Sequence, residues 1–127
     1  MSGNDKFSAD VAVVGAGQAG LLAAIALTSA GYDVLEACDG QDALDKLTGI
    51  KIHLMLCDVN MPNLDGISFL KALRQNPSYK FTPVIMLTTE AGEDKKKEGQ
   101  AAGARAWVVK PFKPEQLLMA VSKLILP

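Results

Sequence analysis

Lys51-Ile52-His53-Leu54-Met55-Leu56-Cys57-Asp58-Val59-Asn60-Met61-Pro62-Asn63-Leu64-Asp65-Gly66 decides the fold. Residues 52–57 form an apolar run interrupted only by His53, and a strand without polar alternation belongs in a sheet covered on both faces. Asp58 follows that run directly. Pro62 bars helix across the loop 58–63, and Asp65-Gly66 opens a helix that continues through Arg74, with Pro77 beyond its end. A carboxylate therefore stands where a buried strand gives way to a loop. His53, the single histidine, lies early in the strand, away from its carboxyl end, and is read as structural.

The same alternation extends in both directions. Residues 11–14 predict a first strand, 21–30 a helix ended by Gly31, and 32–37 a second strand. Asp39-Gly40 punctuates the chain before a short helix at 41–47 that ends near Gly49. Pro83 introduces a fourth strand at 84–87, and the polar stretch 89–94 leads into a helix ending at Gly103. The fifth strand is 106–109, and Pro114 suits the first turn of a last helix. In that helix Leu117, Leu118, Val121, Leu124 and Ile125 form one apolar stripe. Five strands alternating with five helices predict an α/β fold, a parallel sheet with helices on both faces. In such sheets functional groups collect at the carboxyl ends of the strands. Here these are residues 15–20, 38–39, 58–63, 88–89 and 110–111.

Bulk properties narrow the function classes. A chain of 127 residues, 49% hydrophobic and 21% charged, has the size of one domain with its own core. The expected division is a flexible segment at 1–9 and a single domain at 10–127. Thirteen basic against 14 acidic side chains, a net charge of -1, leave no electrostatic footprint for nucleic acid or membrane. The longest apolar stretch, near 21–27, is too short to span a bilayer, and 1–10 lacks the pattern of a secretion signal. The expectation is a cytoplasmic monomer. Cys38 and Cys57 are too far apart for a CxxC motif and are expected to be reduced, buried thiols. The mixed-charge run 93–98 reads as a solvated helix face, and Met61 and Met86 as packing residues.

Three strand ends carry a coherent set: Asp58, Thr88 and Lys110. A strand-end carboxylate can act as a nucleophile toward a phosphoryl group, and a nearby hydroxyl and ammonium can bind the oxygens of the resulting acyl phosphate. From about Thr28 onward the chain closely resembles bacterial response regulator receiver domains, the CheY type in particular. The resemblance rests on Ala30-Gly31-Tyr32, Asp58-Val59-Asn60-Met61-Pro62 with Asp65-Gly66, Thr88-Thr89-Glu90, Gly103-Ala104 and Lys110-Pro111-Phe112. It implies a flavodoxin-like, three-layer α/β/α sandwich with strand order 2-1-3-4-5, and a signalling module rather than an enzyme. By the same resemblance Asp58 is the phosphoacceptor for a histidine kinase, Thr88 the switch hydroxyl and Lys110 the phosphate-contacting lysine, preceding a cis Pro111. Trp107 takes the aromatic switch position, on the face of helix four, strand five and helix five that meets a protein target.

The resemblance fails at one place. Receivers carry adjacent acids just after strand one that hold Mg²⁺ with the phosphoacceptor; here those positions are Gly15 and Ala16. No carboxylate lies between Asp10 and Asp33. Mg²⁺ demands near-octahedral oxygen ligands, so Asp58 and the backbone carbonyl at Asn60 leave a weak metal site at most. Slow or absent phosphorylation is expected, because phosphoryl transfer loses its charge neutraliser.

In place of the acids stands Gly15-Ala16-Gly17-Gln18-Ala19-Gly20, a GxGxxG turn after a strand and before an alanine-rich helix. In that context it resembles the opening unit of FAD- and NAD-binding Rossmann proteins, whose glycines admit a pyrophosphate to the helix N-terminus. The acid that binds the ribose in such proteins should end strand two; the count lands on Cys38, with Glu36 two earlier and Asp39 one later. None fits well, and the chain is too short for a flavin or substrate domain. FAD or NAD is therefore not expected, whereas phosphate or sulfate suits the turn better than Mg²⁺. The two resemblances meet near Leu27, which points to a chimera of a Rossmann-like βα unit at 10–27 and a receiver at 28–127. Leu22, Ala23, Ile25 and Ala26 are expected to face the sheet. The alternative reading is a minimal nucleotide- or flavin-binding Rossmann-like domain.

Overall fold

The computed structural model describes residues 8–15, 17–47, 49–59, 66–88 and 93–125. Five strands, β1 (Ser8–Val14), β2 (Val34–Ala37), β3 (Lys51–Asp58), β4 (Val84–Thr88) and β5 (Ala106–Val109), alternate with five helices. The helices are α1 (Gln18–Ser29), α2 (Gly40–Leu47), α3 (Gly66–Arg74), α4 (Glu93–Ala101) and α5 (Pro114–Leu124), with one 3-10 turn at Pro77–Tyr79. All neighbouring strands are parallel and the sheet order is β2-β1-β3-β4-β5. This is the flavodoxin-like arrangement expected from the sequence.

Strand parity builds two cores. Val11, Val13, Leu54, Leu56, Ile85 and Leu87 face one side of the sheet, where they meet Ala23, Leu27, Leu117 and Val121 of α1 and α5. Ala12, Val14, Met55, Cys57, Val84 and Met86 face the other, against Ala43 of α2 and Phe69, Leu70 and Leu73 of α3. Because β1, β3 and β4 are covered on both faces, every second residue still meets apolar atoms, which is why these strands read as unbroken apolar runs.

Some expectations are corrected. Ser8 and Ala9, placed in a flexible segment, belong to β1 and pair with Lys51 and Ile52 of β3. β2 starts at Val34, later than the apolar pattern suggested: the Tyr32 N–H still donates to the Leu27 carbonyl of α1, and the Asp33 N–H donates to the Asp10 carboxylate. Leu22 and Ile25 do not face the sheet but are 57% and 55% exposed; Ala23, Ala24 and Leu27 pack instead. A helix apolar on every side carries no periodic cue to its buried face, and two alanines let this one lie close to the strands. Gly31, with φ 97°, ends α1 as expected, its N–H donating to the Thr28 carbonyl. Cys57 is buried, but Cys38 is exposed, since it lies beyond the last residue of β2. Met61 lies outside the described residues, and Met86 is buried in the core. Among the described residues no helix is long and apolar enough to cross a membrane.

Candidate functional site

β3 delivers Asp58 to the carboxyl edge of the sheet as its last residue. The turn beyond it is held by the Val59 N–H on the Leu87 carbonyl and the Gly66 N–H on the Val59 carbonyl, both 2.9 Å. Gly66 has to be glycine for a packing reason: a Cβ there would collide with the Asp58 carbonyl and come within 2.8 Å of the Val59 Cα. The start of α3 thus presses directly on the strand end that carries the carboxylate.

Lys110 approaches from the far side. Its N–H donates to the Thr88 carbonyl at 2.7 Å, which seats the residue just past β5, and its peptide bond to Pro111 is cis. From there Nζ reaches Asp58 Oδ2 at 2.9 Å, with the two side chains only 16% and 14% exposed. Thr88 ends β4, fully buried, one position beyond the residue that pairs with Asp58. The structure therefore gathers Asp58, Thr88 and Lys110 at neighbouring strand ends. A shielded carboxylate–ammonium pair beside a buried hydroxyl is suited to handling a phosphoryl group, the ammonium taking up developing negative charge.

Trp107 lies deeper along the same edge, paired with Met86. Its ring lies against Gly99 of α4, where a Cβ would strike the indole. Among the described residues its buried Nε1 has no hydrogen-bond partner.

At the end of β1 the backbone turns where receivers place acids. Gly15 has φ 126° and donates its N–H to the Ala37 carbonyl; Gly17, with φ 141°, is the N-cap of α1. A Cβ at Gly20 would stand 2.5 Å from the Gly15 carbonyl oxygen. Ala16 and Asn60 lie outside the described residues, and Gln18 and Ala19 are described as helix backbone only. Among the described residues no group of three or more His, Cys, Asp or Glu side chains could hold a metal ion.

Gly15 and Gly17 line a cavity of about 570 Å³ whose walls also include Leu21, Glu36, Cys38 and Lys46. Glu36, near the end of β2, and Cys38, just beyond it, line this cleft together with Ala37. Asp39 is used elsewhere: its carboxylate accepts from the Asp42 N–H at 2.8 Å. Asp42 in turn accepts from the Cys38 N–H at 2.8 Å and pairs with Lys46 at 3.0 Å. The Cys38 N–H, then Lys46, hold the Asp42 carboxyl below its ordinary range, and Asp42 raises Lys46. Lys46 was missed in the sequence; its spacing of four from Asp42 was the available signal.

Comparison with known proteins agrees with this architecture. The description "Response regulator receiver domain" matches residues 18–122. PilG of Pseudomonas aeruginosa is 38% identical over 95 residues, covering 75% of this chain and 70% of PilG. The chemotaxis protein CheY4 of Vibrio cholerae superposes with a TM-score of 0.87 at 42% identity, covering 93% of this chain and 99% of CheY4. The receiver domain of the sensor histidine kinase PA1611 from P. aeruginosa, described with a magnesium ion in its active-site cleft, shares the fold at a TM-score of 0.83 and 24% identity, over 92% of this chain and 97% of that one. A five-stranded sheet of this order, a strand-end aspartate paired with a lysine, and these matches along most of its length make the chain a CheY-like member of the response regulator receiver family, the domain of two-component and chemotaxis signalling.

Proposed function

We propose that this receiver works as a protein-interaction module whose Mg²⁺-dependent phosphorylation is impaired. Asp58 is the phosphoacceptor position, Thr88 and Lys110 contact the phosphoryl oxygens, and Trp107 reports the state of the site to a protein target. A histidine kinase is the phosphodonor class. The carrying observation is the end of β1: Gly15 supplies no side-chain oxygen there, and the carboxylate of Asp58 already has an ammonium 2.9 Å away. Mg²⁺ is a hard ion that needs several oxygen donors in near-octahedral order, and this donor set does not fit it.

The turn that replaces the acids resembles the dinucleotide-binding type, and residues 10–27 are read as a graft onto a receiver. The family match begins at Gln18, so β1 and the first two glycines precede it, while residues 18–27 lie inside it. The experiment is labelling of the purified chain with acetyl phosphate and Mg²⁺, followed on phosphate-affinity gels beside V. cholerae CheY4. Labelling of Asp58 is expected to be slower by on the order of a hundredfold or more, and indifferent to EDTA. Stoichiometric, Mg²⁺-dependent labelling that disappears in Asp58→Asn would overturn the reading.

A further inference from the structure

We propose that a basic cavity at the amino edge of the sheet, between the ends of α3 and α4, binds an acidic peptide segment of a partner protein. The cavity lies at the opposite end of the strands from Asp58, so this does not rest on the phosphorylation reading.

The cavity, of about 410 Å³, is lined by Arg74, Lys80, Phe81, Arg105 and the small residues 101–103. Lys80 and Phe81 come just before β4 and Arg105 just before β5, which sets all three at the amino edge. Arg74 is fixed in place. Its guanidinium donates to the carbonyls of Tyr79, Lys80, Thr82 and Gly103, and a Cβ at Gly103 would stand 2.8 Å from its Nε. Lys80 and Arg105 are exposed, and among the described residues neither has an ion-pair partner. Among the described residues, too, no carboxylate lines the cavity.

Helix ends do not use up this charge. α3 ends at Arg74 and α4 at Ala101, and a helix C-terminus carries about half a negative charge. Three cations therefore face about one negative unit, which leaves about two positive charges over. Their crowding shows at Arg74, whose pKa is pulled below its ordinary value of 12.5 by burial first and by the Arg105 charge second. The whole chain has a net charge of -1, so this is a local concentration rather than a generally basic surface. Carboxylates brought by a ligand relieve the repulsion. Phe81 decides the kind of ligand. Its ring is 74% exposed, with Lys80 Nζ 5.6 Å from the ring centre. An inorganic anion gains nothing from an exposed ring, whereas a peptide with apolar residues among its acids meets ring and cations together. Both helices also present carbonyl ends rather than the N–H ends that cradle a compact phosphate, which suits carboxylates spaced along a peptide.

The test is fluorescence anisotropy of the full chain with the fluorescein-labelled peptide Glu-Asp-Leu-Phe-Asp-Glu. Two further peptides with the same dye carry Lys at every acid, or Ser in place of both Leu and Phe. The acidic peptide should saturate with a Kd of about 10–100 μM and dissociate at high salt, and the lysine version should not bind. Lys80→Glu and Arg105→Glu, at exposed positions and checked for native circular dichroism, should each weaken binding by about tenfold. Lys113→Glu makes the same charge change at an exposed position just before α5, and should stay within about twofold of the unaltered chain. Phe81→Ser should weaken the Leu-Phe peptide by about fivefold and leave the serine version unchanged. Asp58→Asn should bind as the unaltered chain does, which separates this proposal from the phosphorylation reading. Absence of saturable binding in the millimolar range overturns the proposal. An equal loss in Lys113→Glu also overturns it, because attraction would then come from overall charge. So does displacement of the peptide by an equimolar amount of inorganic pyrophosphate, which would make the cavity a site for any multivalent anion.

Discussion

Lys110 illustrates how much one side chain carries at this site. Its ammonium and the Asp58 carboxylate are both more than four-fifths shielded, so each is costly to leave without the other. Lys110→Met should lower the unfolding free energy in urea by about 1–3 kcal/mol, and adding Asp58→Asn should recover part of that loss. Strictly additive costs would show that the pair has no coupling. Tyr79 offers a second test. Burial raises its pKa above the ordinary value of 10.0, and its hydroxyl donates a hydrogen bond to the Ile50 carbonyl at 2.6 Å, which only the protonated form can make. The folded state therefore holds its phenolic proton more tightly than the unfolded chain does. That stability is complete below about pH 10 and is lost as pH rises through the folded-state pKa. Tyr79→Phe should cost about 1 kcal/mol at neutral pH and flatten the alkaline decline in melting temperature. Asp58, Thr88 and Lys110 were legible as residues because each follows an apolar run. Their ion pair was not, because 52 positions separate Asp58 from Lys110.

Among the elements, α1 and α4 show the two ways a helix can mislead. α1 is apolar all round, and the strands accept only Ala23, Ala24 and Leu27. Leu22→Lys and Ile25→Lys should each change stability by no more than about 0.5 kcal/mol, whereas Leu27→Ala should cost about 2–5 kcal/mol. Chemical denaturation of the three variants checks this, and a large loss in Ile25→Lys would contradict the packing described. α4 is mostly polar and is positioned through one glycine. Gly99 admits the Trp107 ring, so Gly99→Val must displace either the indole or the helix. A red shift of the single tryptophan's emission, with destabilisation of about 1–3 kcal/mol, is the expected result. Unchanged emission would place the ring elsewhere. Nothing in the sequence pairs Gly99 with Trp107, since glycine has no side chain to enter a hydrophobic pattern.

At the scale of the whole molecule, Arg74 ties the amino edge of the sheet together. Its Nη1 donates to the carbonyls of Tyr79, Lys80 and Thr82, and its Nη2 to that of Gly103, joining α3, the approach to β4 and the turn before β5. Arg74→Met would leave several part-buried carbonyls without their donor and should lower stability by at least about 2 kcal/mol in a denaturant melt. β1 takes part in both cores and pairs with β2 and β3, so the first βα unit cannot fold apart from the rest. Heat should therefore unfold the chain in one cooperative transition, whatever the origin of that unit. The parallel sheet and its carboxyl edge as the functional edge follow from residue type and spacing along the chain, because they depend on local apolar runs and breakers; the loss of acids after β1 is legible only against the receiver pattern that the rest of the sequence resembles. The buried face of α1, the exposure of Cys38, the Lys110–Asp58 pair and the convergence of Glu36 with the glycine turn required the folded chain. Each depends on which distant segments become neighbours across the sheet, and local pattern carries no such information.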